Sequence, residues 1–415
     1  MSKFSDLINK LDFTPNQIKQ YFKMFEMAGY LDKETFWVTL NNIYPTEKAK
    51  TIYFKLEPYL NNTINIDNVL TKIEELSIQN TLTEQDILAL ILYLSQTAFN
   101  RESGMERAQL QVLPKWMEGS NKEYFIQAFK ELNIINELKT DIKKVDIIAI
   151  LGATAGSMVE FIKYTKSIIA PNIKFDTLYF LTGQRELTVG LDSDLFILEL
   201  ASFLNLPYNK DMPFIEKGNP KKIVLNSPKT LTETDAANYL LKRDAKELFS
   251  KIRVIDSKQN ENGARPTTVS NAQDFYNDLL ALGKFKAKTC KVILLGRQPY
   301  ISRQVVNFNN VLTQKSLESN IELKIEIYPA GDKAKLENSE LLSIFSETAI
   351  LMNEHYNKAV IEKKVERLPL EQSKVIMFNT RKEALKNKHE TINLNSERSR
   401  LENMLEQSTD NKVSL

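Results

Sequence analysis

The chain has 415 residues, of which 42% are hydrophobic and 26% charged, a composition typical of a soluble globular protein with two or three domains. Its 55 basic and 53 acidic residues leave a net charge of +2, which excludes the strong basic field that gathers nucleic acid. No apolar run approaches the ~20 residues that span a bilayer, and the polar first residues argue against a signal peptide. We therefore expect a cytoplasmic protein without an integral membrane segment.

Helical signals alone mark the first part of the chain, and we expect an all-α domain over residues 1–140. The Thr14–Gln17 segment forms a capping box with proline at the first helical position, and Gly29 ends the helix that follows. The Thr83–Asp86 segment opens a second, strongly apolar helix. Two short segments faintly resemble calcium-binding hands, but neither supplies the twelve-residue acidic loop, so a plain helical bundle is preferred.

Strands and helices alternate from residue 141, which predicts a second domain over 141–335. Short apolar runs have the composition of buried parallel strands: Val145–Leu151, Asp176–Thr182, Ile252–Ile255, Lys291–Leu295 and Ile321–Ile327. Helical stretches lie between or after them: Ser157–Ile169, Leu191–Leu204, Thr234–Leu248, Thr268–Leu282 and Ser302–Leu312. This alternation predicts an open, mostly parallel, Rossmann-like α/β sheet.

From residue 336 the chain returns to helix and then loses hydrophobicity. We expect C-terminal helices over 336–390, most periodic in Asn338–Tyr356, packed on one of the preceding domains. Residues 391–415 are rich in Asn, Ser, Glu and Lys, which predicts a flexible tail.

Histidine and cysteine usage excludes several kinds of catalytic and metal site. Cys290 is the one cysteine, so an intrachain disulfide and a cysteine-based zinc site are excluded, and burial is its expected role. The two histidines are His355 and His389. A Ser-His-Asp triad or a histidine metal centre is therefore excluded from the body of the chain, unless the tail folds back onto it. Chemistry is left to carboxylates, Tyr, Lys, Arg, backbone dipoles or a cofactor.

Glycine is scarce and is placed at the ends of strands. The chain has 12 glycines in 415 residues, about 3% where about 7% is usual, and Gly152, Gly183 and Gly296 each follow a predicted strand. Ligands bind at the carboxyl ends of strands in open α/β sheets, so we expect a ligand site there. The alternative is that strand-to-helix turns favour glycine without any ligand.

The first two loops supply small and charged groups. After Gly152, the residues Ala153 and Thr154 lead into a helix whose free amides suit an anion or a ribose, although the spacing matches neither a Walker A loop nor Gly-x-Gly-x-x-Gly. After Gly183, the Gln184–Glu186 segment places an amide, a cation and a carboxylate together.

Two later loops add arginines and a helix start. Thr268 is the predicted cap of its helix, with Asn271 in the first turn, and capping leaves Arg265 unexplained. Arg303 lies near a helix start, where the dipole disfavours a cation. An acidic partner or an anionic ligand is therefore expected beside Arg303, with a water-exposed arginine as the alternative.

Five short motifs in order resemble the YdcF/SanA/ElyC-type family over residues ~140–330. They are Leu151-Gly152-Ala153, Leu181-Thr182-Gly183, Asp235-Ala236 in place of Glu-Ala, Thr268-x-x-Asn271-Ala272, and Tyr300-x-x-Arg303 with Tyr in place of the usual His. The resemblance implies a Rossmann-like domain of largely unknown activity. Some members are similar to S-adenosylmethionine- or nucleotide-binding proteins, and membrane-anchored members are linked to bacterial envelope biogenesis.

The leading hypothesis is a protein that binds a small anionic or nucleotide-like ligand at the strand ends, with a transferase as the candidate enzyme and S-adenosylmethionine or a nucleotide as the candidate cofactor. No metal is expected, and Glu186 and Asp235 are the carboxylates available for ribose hydroxyls or proton transfer. The expected ligand contacts are Gly152, Ala153, Thr154, Gly183, Gln184, Arg185, Glu186, Asp235, Arg265, Thr267, Thr268, Asn271, Gln298, Tyr300 and Arg303.

The alternative hypothesis is a catalytically inactive interaction module. The long helical region then engages a protein partner, as in a secreted bacterial effector, and the polar C-terminal tail resembles a translocation signal. Nucleic acid is not an expected partner under either hypothesis, because basic residues are scattered among acidic ones.

Overall fold

The computed structural model describes residues 3–60, 64–99, 115–187, 192–206, 231–245, 251–258, 266–283, 289–319 and 323–369. Within these ranges the chain builds a five-stranded sheet in which all neighbouring strands are parallel. Helices precede the sheet, connect its strands and follow it. The predicted Rossmann-like α/β architecture, with an all-α N-terminal part and a C-terminal helical segment, is confirmed.

The helices before the sheet share one apolar core. Both predicted capping boxes are present: Thr14 Oγ1 accepts from the Gln17 amide at 3.2 Å, and Thr83 Oγ1 accepts from the Asp86 amide at the same distance. Residues 86–95 are buried on every side, so their helix is central to the bundle. The described helices are α1 (Lys3–Lys10), α2 (Pro15–Met27), α3 (Lys33–Ile43), α4 (Thr46–Leu56), α5 (Ile66–Ile78), α6 (Glu84–Phe99) and α7 (Ser120–Glu131).

The sheet is buried on both faces, as continuous apolar strands require. Ile148 and Ile150 face one helical layer, while Ile147, Ala149 and Leu151 face the other. The strands are β1 (Ile147–Leu151), β2 (Thr177–Gly183), β3 (Ile252–Ser257), β4 (Cys290–Arg297) and β5 (Ile325–Asp332). The first layer contains α8 (Ala155–Tyr164), α9 (Ala170–Asn172), α10 (Asp194–Phe203) and α11 (Glu233–Leu240), and the second contains α12 (Thr268–Leu282) and α13 (Tyr300–Ser319).

The strand order is β3-β2-β1-β4-β5, so the direction of strand addition reverses between β1 and β4. Each predicted strand is present, with ends shifted by a few residues; the predicted start of the last one, at 321, lies outside the described residues. Cys290 is buried, as expected. In doubly wound sheets, ligands bind at such a reversal, in the crevice outside the carboxyl ends of the strands.

The C-terminal helix α14 (Asn338–Ile361) belongs to the core of the N-terminal helices, although it follows the sheet in the chain. The Phe345 ring lies 4.9 Å from the rings of both Phe125 and Phe129. Helix α14 also contacts α13, where Arg303 Nε donates to Glu347 and Asn310 Nδ2 donates to the Glu354 carbonyl at 3.0 Å. The predicted 391–415 tail lies outside the described residues. No helix in the described ranges has both the length and the apolarity that a membrane crossing requires.

Candidate functional site

The carboxyl ends of the strands form one edge of the sheet, and most sequence-predicted site residues follow these ends. Gly152, Ala153 and Thr154 come after β1, and Gln184, Arg185 and Glu186 come after β2. Gln298 follows β4 and Tyr300 begins α13. Arg265 lies outside the described residues.

The strand-end glycines make room for other parts of the chain. A Cβ atom on Gly152 would lie 2.9 Å from Oε2 of Glu233, and one on Gly183 would lie 2.5 Å from Cβ of Pro266. A Cβ on Gly296 would lie 3.0 Å from Cδ1 of Ile301. Close packing within the protein therefore explains glycine at these three positions.

Arg185 is held by two carboxylates that the sequence analysis did not identify. Its Nε donates a hydrogen bond to Oε1 of Glu233, and its Nη2 lies 3.8 Å from Oδ2 of Asp192. The side chain of Asp192 is fully buried, and that of Glu233 is 10% exposed. Because buried carboxylates need such partners, the guanidinium neutralises protein charge at this position. Glu233 lies two residues before Asp235 at a helix start, which was the available signal.

The start of α8 is capped by the protein itself. Oδ1 of Asp192 accepts a hydrogen bond from the Ala155 amide at 2.7 Å, and Thr154 Oγ1 accepts from the Ser157 amide at 3.3 Å. These amides belong to the helix end that was expected to hold an anion. The anion found there is the Asp192 carboxylate.

Hydroxyl and amide groups form a polar network where β2 and β3 end. Thr234 Oγ1 donates to Oδ1 of Asp256 at 2.6 Å and lies 3.0 Å from Thr182 Oγ1. Gln184 Nε2 donates to the other oxygen of Asp256 at 3.2 Å. Asp256 is exposed, so this network presents a carboxylate at the edge of the sheet.

Besides Thr154, two more residues predicted as ligand contacts, Thr267 and Asp235, have capping roles, and the predicted cap Thr268 is wrong by one position. Thr267 is the N-cap of α12 and exchanges hydrogen bonds with Ser270, while Thr268 already has its place in the first helical turn. Thr267 is the cap because Ser270, three residues later, returns its hydrogen bond, and a capping box requires a partner at that spacing. Asp235 similarly accepts a bond from the Thr232 amide at 3.1 Å in the cap of α11.

Asn271 and Ser257 carry buried oxygen atoms at this edge that have no hydrogen-bond partner among the described residues. Asn271 is 9% exposed and Ser257 is fully buried. The Asn271 amide nitrogen donates to the Leu181 carbonyl at 3.0 Å, and this carbonyl also accepts from the Gly152 amide at 2.7 Å. Asn271 Oδ1 thus lies next to the ends of β1 and β2 and has no donor within the described ranges. Ser257, the last residue of β3, was not identified from the sequence.

The loop after β4 attaches the sheet to the helical part. Gln298 is buried, and its Nε2 donates to the Asn133 carbonyl at 3.1 Å and to Ser302 Oγ at 2.9 Å. Arg303 Nε donates to Oε2 of Glu347 in α14 at 2.8 Å. An acidic residue was one of the partners expected for Arg303, and Glu347 is that residue. Arg303 therefore connects α13 with α14.

Arg297, at the end of β4, is a cation that the sequence analysis missed. Its guanidinium lies 3.7 Å from Glu160 in α8 and 3.3 Å from Glu340 in α14, so it connects three elements. Its position directly after Gly296 was the available signal. No cluster of three or more histidine, cysteine or acidic residues in the described part of the chain could hold a metal ion.

No protein-family model matches this chain, and no curated protein matches it either.

Proposed function

We propose that this protein binds a small nucleoside-like ligand at the carboxyl ends of β1, β2 and β3. The observation that carries the proposal is the pair of buried oxygens, Asn271 Oδ1 and Ser257 Oγ, without protein partners in the described part of the chain. A buried polar atom left without a hydrogen bond costs about 1–3 kcal/mol, and a bound molecule is one established way of satisfying it.

The polar groups at this edge suit a ligand that offers hydrogen-bond donors. Asn271 Oδ1 accepts only, and Asp256 presents an exposed carboxylate. Hydroxyl and amino groups, as on a sugar and a base, supply such donors. The resemblance to the YdcF-type family, with its strand-end motifs, supports the same class of ligand and keeps S-adenosylmethionine and nucleotides among the candidates.

The proposal concerns ligand binding. If the protein is also an enzyme, the candidate reaction is a group transfer. Asp235 is engaged in a helix cap, so the structure offers no argument for this carboxylate as a base. Tyr300 is partly exposed at the start of α13 and remains the candidate hydroxyl donor at this edge.

A thermal-shift screen of the whole chain tests the proposal, with nucleosides, S-adenosylmethionine, S-adenosylhomocysteine, nucleotides, nucleotide sugars and polyprenyl-phosphate analogues. Ligand binding to the folded state raises the melting temperature by mass action. We expect a shift that is lost in Asn271→Ala. Asn307→Ala is the matched control, because Asn307 Oδ1 is also buried and unpartnered among the described residues but belongs to α13. Absence of any shift, or an equal shift in Asn271→Ala, would contradict the proposal.

The second candidate function is a protein-interaction module. It is favoured by the pairing of Arg185, Arg297 and Arg303 with protein carboxylates, and by an exposed aromatic side chain on α4, Phe54, which is 67% exposed. As a secreted effector, the chain is expected to need its last ~20 residues for delivery. A translocation assay with and without these residues tests this candidate, and equal delivery of both forms counts against it.

A further inference from the structure

The amino-terminal edge of the sheet, opposite the candidate ligand site, has lysine at the start of each described strand. All six lysines of this row are exposed, and in their order across the sheet they are Lys251 (before β3), Lys174 (before β2), Lys143 and Lys144 (before β1), Lys291 (in β4) and Lys324 (before β5). Neighbouring strands are about 4.8 Å apart, so the row is about 19 Å long. Folding therefore collects lysines that are scattered along the sequence.

Two lysines of the row are directly opposite each other. Lys144 and Lys174 form a parallel β-bridge, in which the Val145 amide donates to the Lys174 carbonyl at 2.9 Å. In the described ranges, neither ammonium group forms an ion pair with an acidic residue. Like charges on neighbouring strands repel each other, so this arrangement is unfavourable until an anionic partner is bound.

Acidic residues next to the lysine row offset part of its charge. Asp141 and Asp176 are exposed there, and Glu326 lies 3.9 Å from Lys324. Asp146 is engaged with the main chain, because its Oδ2 accepts from the Lys291 amide. Cations still outnumber acidic residues among the described residues of this edge, since the ends of α8 and α11 add Lys163, Lys166, Lys242 and Arg243.

Exposed apolar side chains lie at the same edge. Helices that connect parallel strands return to the amino-terminal edge, so the ends of α8, α10, α12 and α13 lie there. The ring of Phe203 at the end of α10 lies 5.0 Å from the ring of Tyr239 in the last turn of α11. Each of these four helix ends carries a large apolar side chain that is between 37% and 65% exposed: Ile168, in the π-helical turn that continues α8, Phe203, Leu282 and Leu317.

The apolar side chains are interleaved with cations. Lys242 Nζ lies 5.0 Å from the centre of the Phe203 ring. The hydrogen bond from Arg243 and the charge of Lys166 lower the pKa of Asp244, so the ends of α8 and α11 are close together. One face of the protein thus combines ammonium groups with apolar side chains that point to solvent.

We infer that the amino-terminal edge binds the surface of a membrane that contains anionic lipid. Lysines are attracted to anionic headgroups, and the apolar side chains beside them enter the boundary between headgroups and acyl chains. Nucleic acid matches this face less well, because its phosphate backbone attracts the lysines but offers no apolar layer. The candidate ligand site is at the opposite edge and stays open to solution, and the inference does not depend on the proposed function.

The first test is flotation of the whole chain with phosphatidylcholine vesicles, with and without about 30% phosphatidylserine. We expect binding to the vesicles that contain phosphatidylserine and much weaker binding to the others. Added salt should weaken the binding, because it screens the lysines from the headgroups. Absence of binding to the anionic vesicles, or equal binding to both kinds, would overturn the inference.

The second test reverses charges in the row with the double variant Lys144→Glu and Lys174→Glu. Each lysine near an anionic surface strengthens binding about fivefold, so we expect partition onto anionic vesicles to fall at least tenfold. Lys333→Glu with Lys335→Glu is the matched control, since these two exposed lysines follow β5 at the opposite edge. Circular dichroism establishes that both variants are folded. An unchanged partition in the first variant, or an equal loss in the control, would overturn the inference.

The third test separates a membrane from other polyanions. In Leu317→Ser we expect partition to fall about fivefold, because the serine side chain gains little in the headgroup boundary. Leu195→Ser is the matched control, since Leu195 is equally exposed but lies at the start of α10. Equal partition of the two serine variants would overturn the inference. Tighter binding of a DNA duplex than of anionic vesicles would also overturn it, because charge alone would then explain the lysine row.

Discussion

Removal of the Arg303 guanidinium is expected to destabilise the protein strongly. Arg303 Nε and Glu347 Oε2 are 2.8 Å apart, and their side chains are 15% and 3% exposed. Breaking a buried pair by removing one partner costs about 3–5 kcal/mol, because the remaining charge is left uncompensated. Since Arg303 is not fully buried and Glu347 has further interactions, we expect the lower end, about 3 kcal/mol, for Arg303→Ala.

The assay is urea unfolding followed by far-ultraviolet circular dichroism. With a slope of about 3 kcal/mol per molar urea, the expected loss moves the midpoint down by about 1 M. Lys315→Ala is the control on the same helix, because Lys315 makes a solvent-exposed pair with Glu318 whose loss should leave the midpoint nearly unchanged. In the double variant Arg303→Met with Glu347→Leu, we expect most of the stability to return, since no charge is left buried.

Two results would refute this reasoning. One is a loss below about 1 kcal/mol in Arg303→Ala, which is the size of an exposed pair. The other is an equal loss when Arg303→Ala is made in a Glu347→Leu background, because the two residues would then not be coupled. A ligand-induced thermal shift that disappears in a stable Arg303→Ala variant would restore Arg303 as a ligand contact.

Three further predictions concern single positions. Burial lowers the pKa of His355 to about 4, below its unfolded value of about 6.5, so the unfolded state binds more protons between these values. The contribution of His355 to the free energy of unfolding is complete above pH 6.5 and falls by about 3 kcal/mol as the pH drops to 4. This pH dependence should disappear in His355→Phe. If the variant retains it, the pH dependence belongs to other groups. Gly183→Ala should destabilise by about 1–3 kcal/mol, since its methyl group would lie 2.5 Å from Pro266, and an unchanged thermal midpoint would show that Pro266 moves freely. Thr267→Ala should cost about 1 kcal/mol in urea unfolding and Thr268→Ala less, and the reverse order would return the cap to Thr268.

The fold was predictable because its signals are local. The apolar run of Ile147–Leu151 has no polar position on either face, and such a strand must be covered by helices on both sides. The Thr14–Gln17 capping box needs only residues three apart, and it forms as predicted. Alternation of such elements leaves few topologies, and the parallel sheet is the simplest of them.

The site was less predictable because its contacts join distant parts of the chain. Arg303 and Glu347 are 44 residues apart, and Arg185 and Glu233 are 48 apart. From the sequence, both arginines were expected ligand contacts, and an acidic protein partner was considered for Arg303. Hydrogen bonding in the folded state assigns both to carboxylates.

Local periodicity and capping thus determined which segments form helices and strands, to within a few residues at their ends, and scarce glycine marked the ends of β1, β2 and β4. Tertiary structure alone decided what fills the space beside those glycines, and that α14 joins the N-terminal helices. The physical reason is the range of the interactions. Hydrogen bonds within a helix and the alternation of a strand act over a few residues, whereas buried charges select their partners only after the chain has folded.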